Sequence, residues 1–498
     1  MIQGVFAKTF EGVIWSALGR LAQVALGLAS VAVIARVLTP EVYGIFGAAM
    51  LLVTLAETVS GGSLAQCLVQ RRHLSQAHID TTFWLCLAAG ILVAALLASL
   101  SVPLLAMVNA PQAHAALLCL AGMIVLNALA AVPQALLMRE MNFRRATQID
   151  TVACALSAIS GIALALGGAG IWALILAEGV RVSVRTCLLC QTRGWMPSGF
   201  ATAEALRELG RYNLSSLATV GLARADRMLP RLLVATMLGP QVLGIWLLAR
   251  RILDEVQQLS SIPLNAVTLT TIARVQHEAG RVRQVVGGLY QASAMFSLPC
   301  HAGAIVLLPM VLPIALGPQW HDAVLPAQIL LLLGVRSCTS VFDTSILRGL
   351  GHVGLPLIII GLGMLSNAAF IPLFADYGIA GIAVAFVLRH LLTWPLGTLF
   401  IGRAIGLSAG AQLAPMRGPL LSASLMALTV YLALPRLLAS LGEAGGIAAA
   451  IAIGAILYLA ALLATTPALG RRVRGLAGAI RDRDHARIGS LLGELPAT

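Results

Sequence analysis

The sequence predicts an all-α protein that crosses a membrane about fourteen times, as two similar six-helix lobes with two further helices behind them. Three observations lead there. Hydrophobic residues make up 59% of the 498 positions and charged residues 11%, with a mean hydropathy of +0.91. A chain this poor in polar surface belongs in lipid, where helices and closed barrels alone can satisfy the backbone. Apolar runs of about 20 residues, the length a helix needs to cross a hydrocarbon core about 30 Å thick, recur between turn residues. The third observation is an internal echo at a spacing of 200 residues.

Residues 35–45 read ARVLTPEVYGI and residues 235–245 read ATMLGPQVLGI, with Ala35/Ala235, Leu38/Leu238, Pro40/Pro240, Val42/Val242, Gly44/Gly244 and Ile45/Ile245 identical. Ala110-Pro111-Gln112 is matched by Gly317-Pro318-Gln319, Met138-Arg139 by Leu347-Arg348, and Ala169-Gly170-Ile171 by Ala380-Gly381-Ile382. Every echo falls at a turn or a helix end. The expected organisation is an N-terminal lobe over 1–200, a second lobe over 201–410, an added helix pair over 411–467 and a basic tail over 468–498. Tandem modules suit a transporter, because similar bundles can rock about a site between them.

The expected spans run near 12–37, 42–68, 80–108, 113–138, 146–167 and 170–191 in the first lobe. Those of the second run near 210–238, 241–270, 285–312, 323–347, 354–375 and 378–403, with the last pair at 416–439 and 445–466. Arginines then sort into alternate loops: Arg71 and Arg72; Arg139, Arg144 and Arg145; Arg193, Arg207 and Arg211; Arg274, Arg281 and Arg283; Arg348; Arg403 and Arg417. The other loops, around Thr39, Asn109, Gly168, Gly239, Gly317, Tyr377 and Gly442, carry almost none, with Arg436 near a helix end as the exception. The positive-inside rule makes the arginine side, which includes Lys8 and both termini, cytoplasmic. Termini on one side require an even number of spans. The N-terminal apolar run is too long for a cleavable signal peptide and is followed directly by another span.

The net charge of +13 does not indicate nucleic acid, because the basic residues follow membrane topology rather than one face. A nucleotide-driven pump needs a P-loop lysine, and the sole lysine here is Lys8. Cys187 and Cys190 form a CxxC inside an apolar stretch with no nearby histidine, which reads as small apolar packing before it reads as a metal or redox site. In the tail, Arg471, Arg472, Arg474, Arg481, Arg483 and Arg487 mix with apolar residues, as in a segment lying on an anionic leaflet or docking a partner enzyme.

Charge inside the bilayer costs roughly 3 kcal/mol per group on insertion scales, so such groups normally face water or a partner. Span one carries Arg20, span two Glu57, and span six Glu178, Arg181 and Arg185. Span seven carries Arg224, Asp226, Arg227 and Arg231, and span eight carries Arg250, Arg251, Asp254 and Glu255. Span ten holds Arg336 and Asp343, and span twelve Arg389. Counted along the helices, Arg181, Arg224, Asp226, Arg227, Arg250, Arg251 and Arg389 fall near the midplane. Arg250 with Asp254 and Arg251 with Glu255 are spaced i to i+4 and can neutralise each other. The rest leave a cationic excess, and Pro230 predicts an irregular turn beside it. The inference is a water-accessible cavity for an anionic cargo, since an arginine fork matches phosphate oxygens and carboxylates. A cation exporter would want acids and aromatics instead. A membrane polymerase or ligase handling lipid-linked sugars would need a large non-cytoplasmic loop, and each such loop here is about ten residues or fewer.

In these residues the chain resembles the Wzx-type polysaccharide flippases of the polysaccharide transport family, in the superfamily that also holds MATE drug exporters and lipid II flippases. The resemblance rests on Ala35, Arg36, Leu38, Pro40, Tyr43 and Gly44; on Arg139, Phe143 and Arg144; and on Gly168, Gly170, Trp172, Ala173 and Leu174. It continues through Asp226-Arg227, Gly239, Pro240, Gly244, Ala249 and Arg250, and covers roughly residues 5–405. Trp246, where the family more often has tyrosine, and Pro230 depart from the pattern. The resemblance implies a V-shaped, MATE-like bundle and a cargo of oligosaccharide repeat units on undecaprenyl pyrophosphate, moved across the bacterial inner membrane. It implies contact of the cargo with Arg20, Arg181, Arg185, Arg224, Arg227, Arg231, Arg250, Arg251, Arg336 and Arg389. Coupling to protons or sodium makes Asp226, Glu57, Glu178 and Asp343 protonation candidates, with no metal or organic cofactor. A polymerase and a chain-length regulator are the implied partners, and a lipid II flippase is the nearest alternative.

Overall fold

The computed structural model describes residues 22–59, 74–140, 142–192, 197–260, 262–352 and 354–466, together with Gly19, Ala65, Leu68 and Val69. Lys8, Arg20, Arg71, Arg72, Arg193 and the arginine-rich tail lie outside them, as do the side chains of residues 203–220. Every regular element among the described residues is helical. In order these are α1 (Ala22–Val37), α2 (Pro40–Val59), α3 (Gln76–Ser99), α4 (Ser101–Met107), α5 (His114–Arg139), α6 (Phe143–Leu166) and α7 (Ile171–Gln191). Then come α8 (Ala203–Ser260), α9 (Ile262–Val275), α10 (Ala279–Leu316), α11 (Val324–Leu331), α12 (Gly334–Ser340) and α13 (Asp343–Gly349). The last are α14 (Leu355–Phe374), α15 (Gly378–Ile405), α16 (Ala409–Leu413) and α17 (Arg417–Thr465). Short 3₁₀ turns precede α5 and α11.

Among the described residues eight stretches are long and apolar enough to cross a membrane, nine with the bent run that begins at Pro318. Three of the eight hold two helices each. Single residues divide two of them: Gly239 splits α8 and Gly442 splits α17, with φ of 77° and 71°. Those angles lie in the left-handed region, which a side chain would strain, so one glycine reverses the chain where no longer loop exists. With α1, which is short, and α7, which carries three charges, the described residues form fourteen helical passes that follow the expected spans in order. The protein is a multi-pass, all-α membrane protein.

Two details depart from expectation. The backbone stays helical through Pro230, and the non-helical residue in that run is Gly239. Span ten is broken rather than continuous. Leu332 and Leu333 donate to Ile329 and Leu330, and Phe342 to Thr339, so i→i−3 bonds tighten the chain before and after α12. The axis bends by 47°. Gly334 permits this, because a methyl there would meet His301 Cγ at 2.5 Å.

The chain forms two compact units. The first comprises residues 1–247, 315–320 and 371–379; the second comprises 248–314, 321–370 and 380–498. Within the first unit the echo becomes a contact. A methyl on Gly44 would strike the Pro240 carbonyl and lie 3.1 Å from Gly244 N; one on Gly244 would strike the Pro40 carbonyl and lie 3.0 Å from Gly44 N. The starts of α2 and of the second half of α8 therefore touch backbone to backbone, as a self-complementary pair. Neighbouring loops are exchanged in the same way. Gln319 Nε2 donates to the carbonyls of Ala35 (2.9 Å) and Arg36 (3.1 Å), and Trp320 Nε1 to Ala35 (2.8 Å), closing the end of α1. Asn109 Nδ2 donates to Thr236 O (2.7 Å) and closes the first half of α8. These carbonyls have no partner within their own helices, so each side chain satisfies a group that lipid could not.

The first unit also pins its long connection. Asp80, 3% exposed, accepts from Ser198 Oγ (3.1 Å) and Ser198 N (3.3 Å), and Trp84 Nε1 donates to Gly199 O (2.9 Å). In the second unit one apolar core packs α10, α13, α15 and α17 around Tyr290, Phe342 and Met426.

Candidate anion-binding site

The clearest site lies in the second unit. Pro240 and Gly378 begin two helical segments that bring Arg250 and Arg389 about 15 Å and 16 Å along their axes at 1.5 Å per residue. That is close to half the thickness of a core about 30 Å across. Arg389 is 8% exposed. It fits because α14 presents Gly363, where a methyl would overlap the guanidinium and lie 3.0 Å from Cζ. Its Nη1 donates to His390 Nε2 at 3.0 Å, and His390 Nδ1 bonds the Phe386 carbonyl at 2.7 Å. Since arginine can only donate, Nε2 accepts and Nδ1 carries the proton, which describes a neutral imidazole. Phe386 lends its ring as well: Arg250 Cζ lies 4.7 Å and Arg389 Cζ 5.9 Å from the ring centroid. Cation–π contacts of this kind are worth about 0.5–2 kcal/mol, the larger values where water is excluded.

Beside these groups is a cavity of about 170 Å³, lined by Arg250, Gln257, Arg336, Ser337, Ser340 and His390 with Leu333 and Val341. At about 30 Å³ per water it has room for several waters or one compact anion. Gln257 Nε2 donates to Ser337 Oγ (2.7 Å), which itself donates to Leu333 O (2.9 Å). The wall is thus fixed by neutral polar groups, and among the described residues no Asp or Glu lines it. Arg336, Ser337 and Ser340 reach it from the segment that follows the break in span ten. Arg250 also reaches Asp254 Oδ1 at 3.0 Å, and Arg251 reaches Glu255 Oε1 at 3.7 Å, the i to i+4 pairs the spacing predicts. Asp343, 7% exposed, packs its carboxylate on Gly397, whose missing side chain leaves the space, and it feels the charge of Arg336.

The first unit holds a different cluster. Arg181 grips Glu178 with two hydrogen bonds, one of 2.8 Å from Nε to Oε2 and one from Nη2 to Oε1. Arg185 Nε donates to Asp150 Oδ1 at 2.9 Å, across to α6. Glu57 accepts from Asn127 Nδ2 at 2.7 Å and lies in the field of Glu178, Arg224 and Arg181. Arg224, Asp226 and Arg231 are half-buried and Arg227 is exposed. So Glu57, Glu178, Arg181 and Arg224 gather in one unit, Arg250, Arg336 and Arg389 in the other, and Arg20 lies outside the described residues.

Sequence reasoning missed His390, Phe386, Gln257, Ser337, Asn127 and Asp150. A lone asparagine in an apolar span was a usable signal, since polar side chains in membrane helices usually bond across to a neighbour. Gly363 and Gly397 gave none, because their role is the space they leave on another helix.

A model of the polysaccharide biosynthesis protein family matches residues 33–325. The chain belongs to that family. Along nearly its whole length, 97% of this chain and 98% of the other, it is 25% identical to the succinoglycan biosynthesis transport protein ExoT of Rhizobium meliloti (strain 1021). It is 23% identical to the lipopolysaccharide biosynthesis protein WzxC of Escherichia coli (strain K12), over 87% of each. Among solved structures its fold is similar to the lipid II flippase MurJ in an inward closed conformation, with a TM-score of 0.76, 13% identity and coverage of 92% and 99%. An inward-facing multidrug resistance MATE family transporter aligns with a TM-score of 0.60 at 14% identity, over 77% of this chain and 94% of that one. This member of the polysaccharide biosynthesis protein family shares its fold with the lipid II flippase and the MATE family transporter.

Proposed function

We propose that this protein is a flippase for lipid-linked oligosaccharides. It moves repeat units carried on undecaprenyl pyrophosphate from the cytoplasmic to the periplasmic leaflet of the bacterial inner membrane, by alternating access, with both termini cytoplasmic. The family match and the two transport and lipopolysaccharide relatives support the polysaccharide pathway; the likeness to MurJ concerns the fold alone. The observation that carries the reading is the midplane cavity with Arg250 and Arg336 in its wall and no carboxylate among its described lining residues. A pyrophosphate offers the oxygen pairs that guanidinium forks match, and acidic sugars add carboxylates of the same geometry.

Coupling to an ion gradient belongs to the acids. Glu178 holds Arg181, so a proton on Glu178 releases a guanidinium, and Glu57, Asp226 and Asp343 are the further candidates. Polymerase and chain-length regulator would act after release on the far side. The test is export of polymer by cells carrying Arg336→Ala, at equal membrane abundance. Export should fall at least about tenfold, with lipid-linked repeat units accumulating on the cytoplasmic face. Arg336→Lys should recover only part, because a point charge replaces the fork. Undiminished export by Arg336→Ala would remove the cavity from the cargo's path.

A further inference from the structure

A second and larger cavity, of about 520 Å³, opens in the second unit away from the midplane. Four helix ends build it: the start of α10, the end of α15 with α16 after it, and the start and end of α17. These ends carry Arg283, Arg403 and Arg417, so the cavity sits on the arginine-bearing side, at the level where helices leave the hydrocarbon. Its volume falls within the roughly 300–1,000 Å³ of small-molecule sites.

Two of its walls carry a guanidinium each. Arg283 is held by its Nε, which donates to Ile405 O at 2.7 Å and closes the end of α15. Its terminal nitrogens make no hydrogen bond or ion pair among the described residues. Arg417 stands at the first position of α17, where the helix dipole adds positive potential, and likewise has no acidic partner among them. The remaining polar wall is neutral, from Gln284, Gln291, Gln412 and Thr465, and among the described residues no Asp or Glu contributes. Gln412, 2% exposed, is locked by Nε2 bonds to Thr398 O (2.9 Å) and Leu407 O (3.3 Å), so this wall is built and not a passing gap. Two cations facing one space without a carboxylate repel each other unless an anion joins them. Basic pockets between helices at the cytoplasmic surface are where headgroup phosphates are bound.

We propose that this cavity binds a phosphate group at the membrane surface, with Arg283 and Arg417 on its oxygens and the glutamine and threonine side chains around the rest of the head. Phosphate could come from an anionic phospholipid of the surrounding leaflet or from solution. The position at the helix ends favours the lipid. The site is separate from the midplane cavity and does not depend on the cargo assigned above.

The experiment uses the full chain in detergent and follows its thermal midpoint during titration with short-chain phosphatidylglycerol. Phosphatidylcholine of the same chain length and inorganic phosphate are the parallel arms. A saturating rise with phosphatidylglycerol and none with phosphatidylcholine is expected. Arg417→Glu should weaken the apparent affinity about tenfold or more, the loss of a hydrogen-bonded charge contact. Arg283→Ala should do the same; because Arg283 also closes α15, Arg417→Glu is decisive if that variant fails to fold. An equal rise with inorganic phosphate would overturn the lipid assignment and leave a soluble anion. Equal responses to both lipids, or an undiminished response in Arg417→Glu, would overturn the site.

Discussion

Adding one methyl group at Gly44 tests whether the echoed segments are held backbone to backbone. The methyl would point at the carbonyl of Pro240, with the carbonyl carbon and Gly244 N, at 3.1 Å, behind it. All three are main-chain atoms at the start of a helix, so no flexible side chain can yield. Carbon atoms in contact sit about 3.5–4.0 Å apart. The two helices must therefore separate by about 1 Å or more, which opens the contacts around Gly47 and Leu247 as well. Overpacking of this kind costs roughly 1–3 kcal/mol.

The control is Gly122→Ala in α5, where no heavy atom lies within 4 Å of the added methyl. There the change gains helix propensity, up to about 1 kcal/mol. The assay is the fraction of monodisperse protein left after heating in detergent. Gly44→Ala should lose its peak several degrees below the parent, and Gly122→Ala at or above it. Gly44→Ala with Gly244→Ala should cost less than the sum of the two, because one opened crossing accommodates both methyls. If Gly44→Ala survives heating as well as Gly122→Ala, the close crossing is not a feature of the protein.

Gly363→Ala should displace the Arg389 guanidinium and lower both polymer export and thermal stability. Gly361→Ala, with open space around it, should do neither, and equal behaviour of the two would dissociate Arg389 from transport. Arg224→Ala with Arg227→Ala should block export and leave repeat units facing the cytoplasm at normal protein levels; normal export would exclude span seven from cargo binding. The Arg185–Asp150 pair, with the acid 41% exposed, should show a double-mutant coupling energy of only about 0.2–1 kcal/mol in denaturation measurements. A much larger value would mean the pair is sealed from water.

The helical passes and their turns were legible because a span of lipid enforces both length and composition. Each of Gly239, Gly317 and Gly442 marked a turn in the sequence, and each carries a positive φ in the structure. The midplane charges were legible for the same reason: an arginine such as Arg389 inside an apolar run is too costly to be incidental. Partners were not. Arg185 meets Asp150 thirty-five residues away, on the neighbouring helix α6, and no spacing rule joins them. His390 adjoins Arg389 in sequence, yet its use as a neutral acceptor depends on the carbonyl of Phe386 four residues earlier. The bend in span ten also left no proline or charge run to read. It arises from i→i−3 bonds and from Gly334 against His301, a contact made between helices.

Both units pair arginines with acids, but the second also sets neutral partners beside its guanidinium groups, and this bears on which can take an anion. A carboxylate held against an arginine cancels most of the field beyond it, and at about 4 Å and an effective dielectric constant near 20 the attraction is about 4 kcal/mol. Any anion approaching Arg181 must compete with Glu178 for the same fork, and one approaching Arg185 must compete with Asp150. Phe386 and His390 act otherwise on Arg250 and Arg389. A ring face and an imidazole lone pair stabilise a cation without adding negative charge, so the potential persists into the cavity that His390 lines. Arg250 also pairs with Asp254 at 3.0 Å, so an anion there shares that guanidinium with an acid, as at Arg185. Arg336 opens on the same cavity from a helix whose break faces it there. The Phe386 ring and the His390 imidazole thus hold Arg389 beside the cavity without adding a carboxylate of their own, and this favours the second unit as the one that meets the anion.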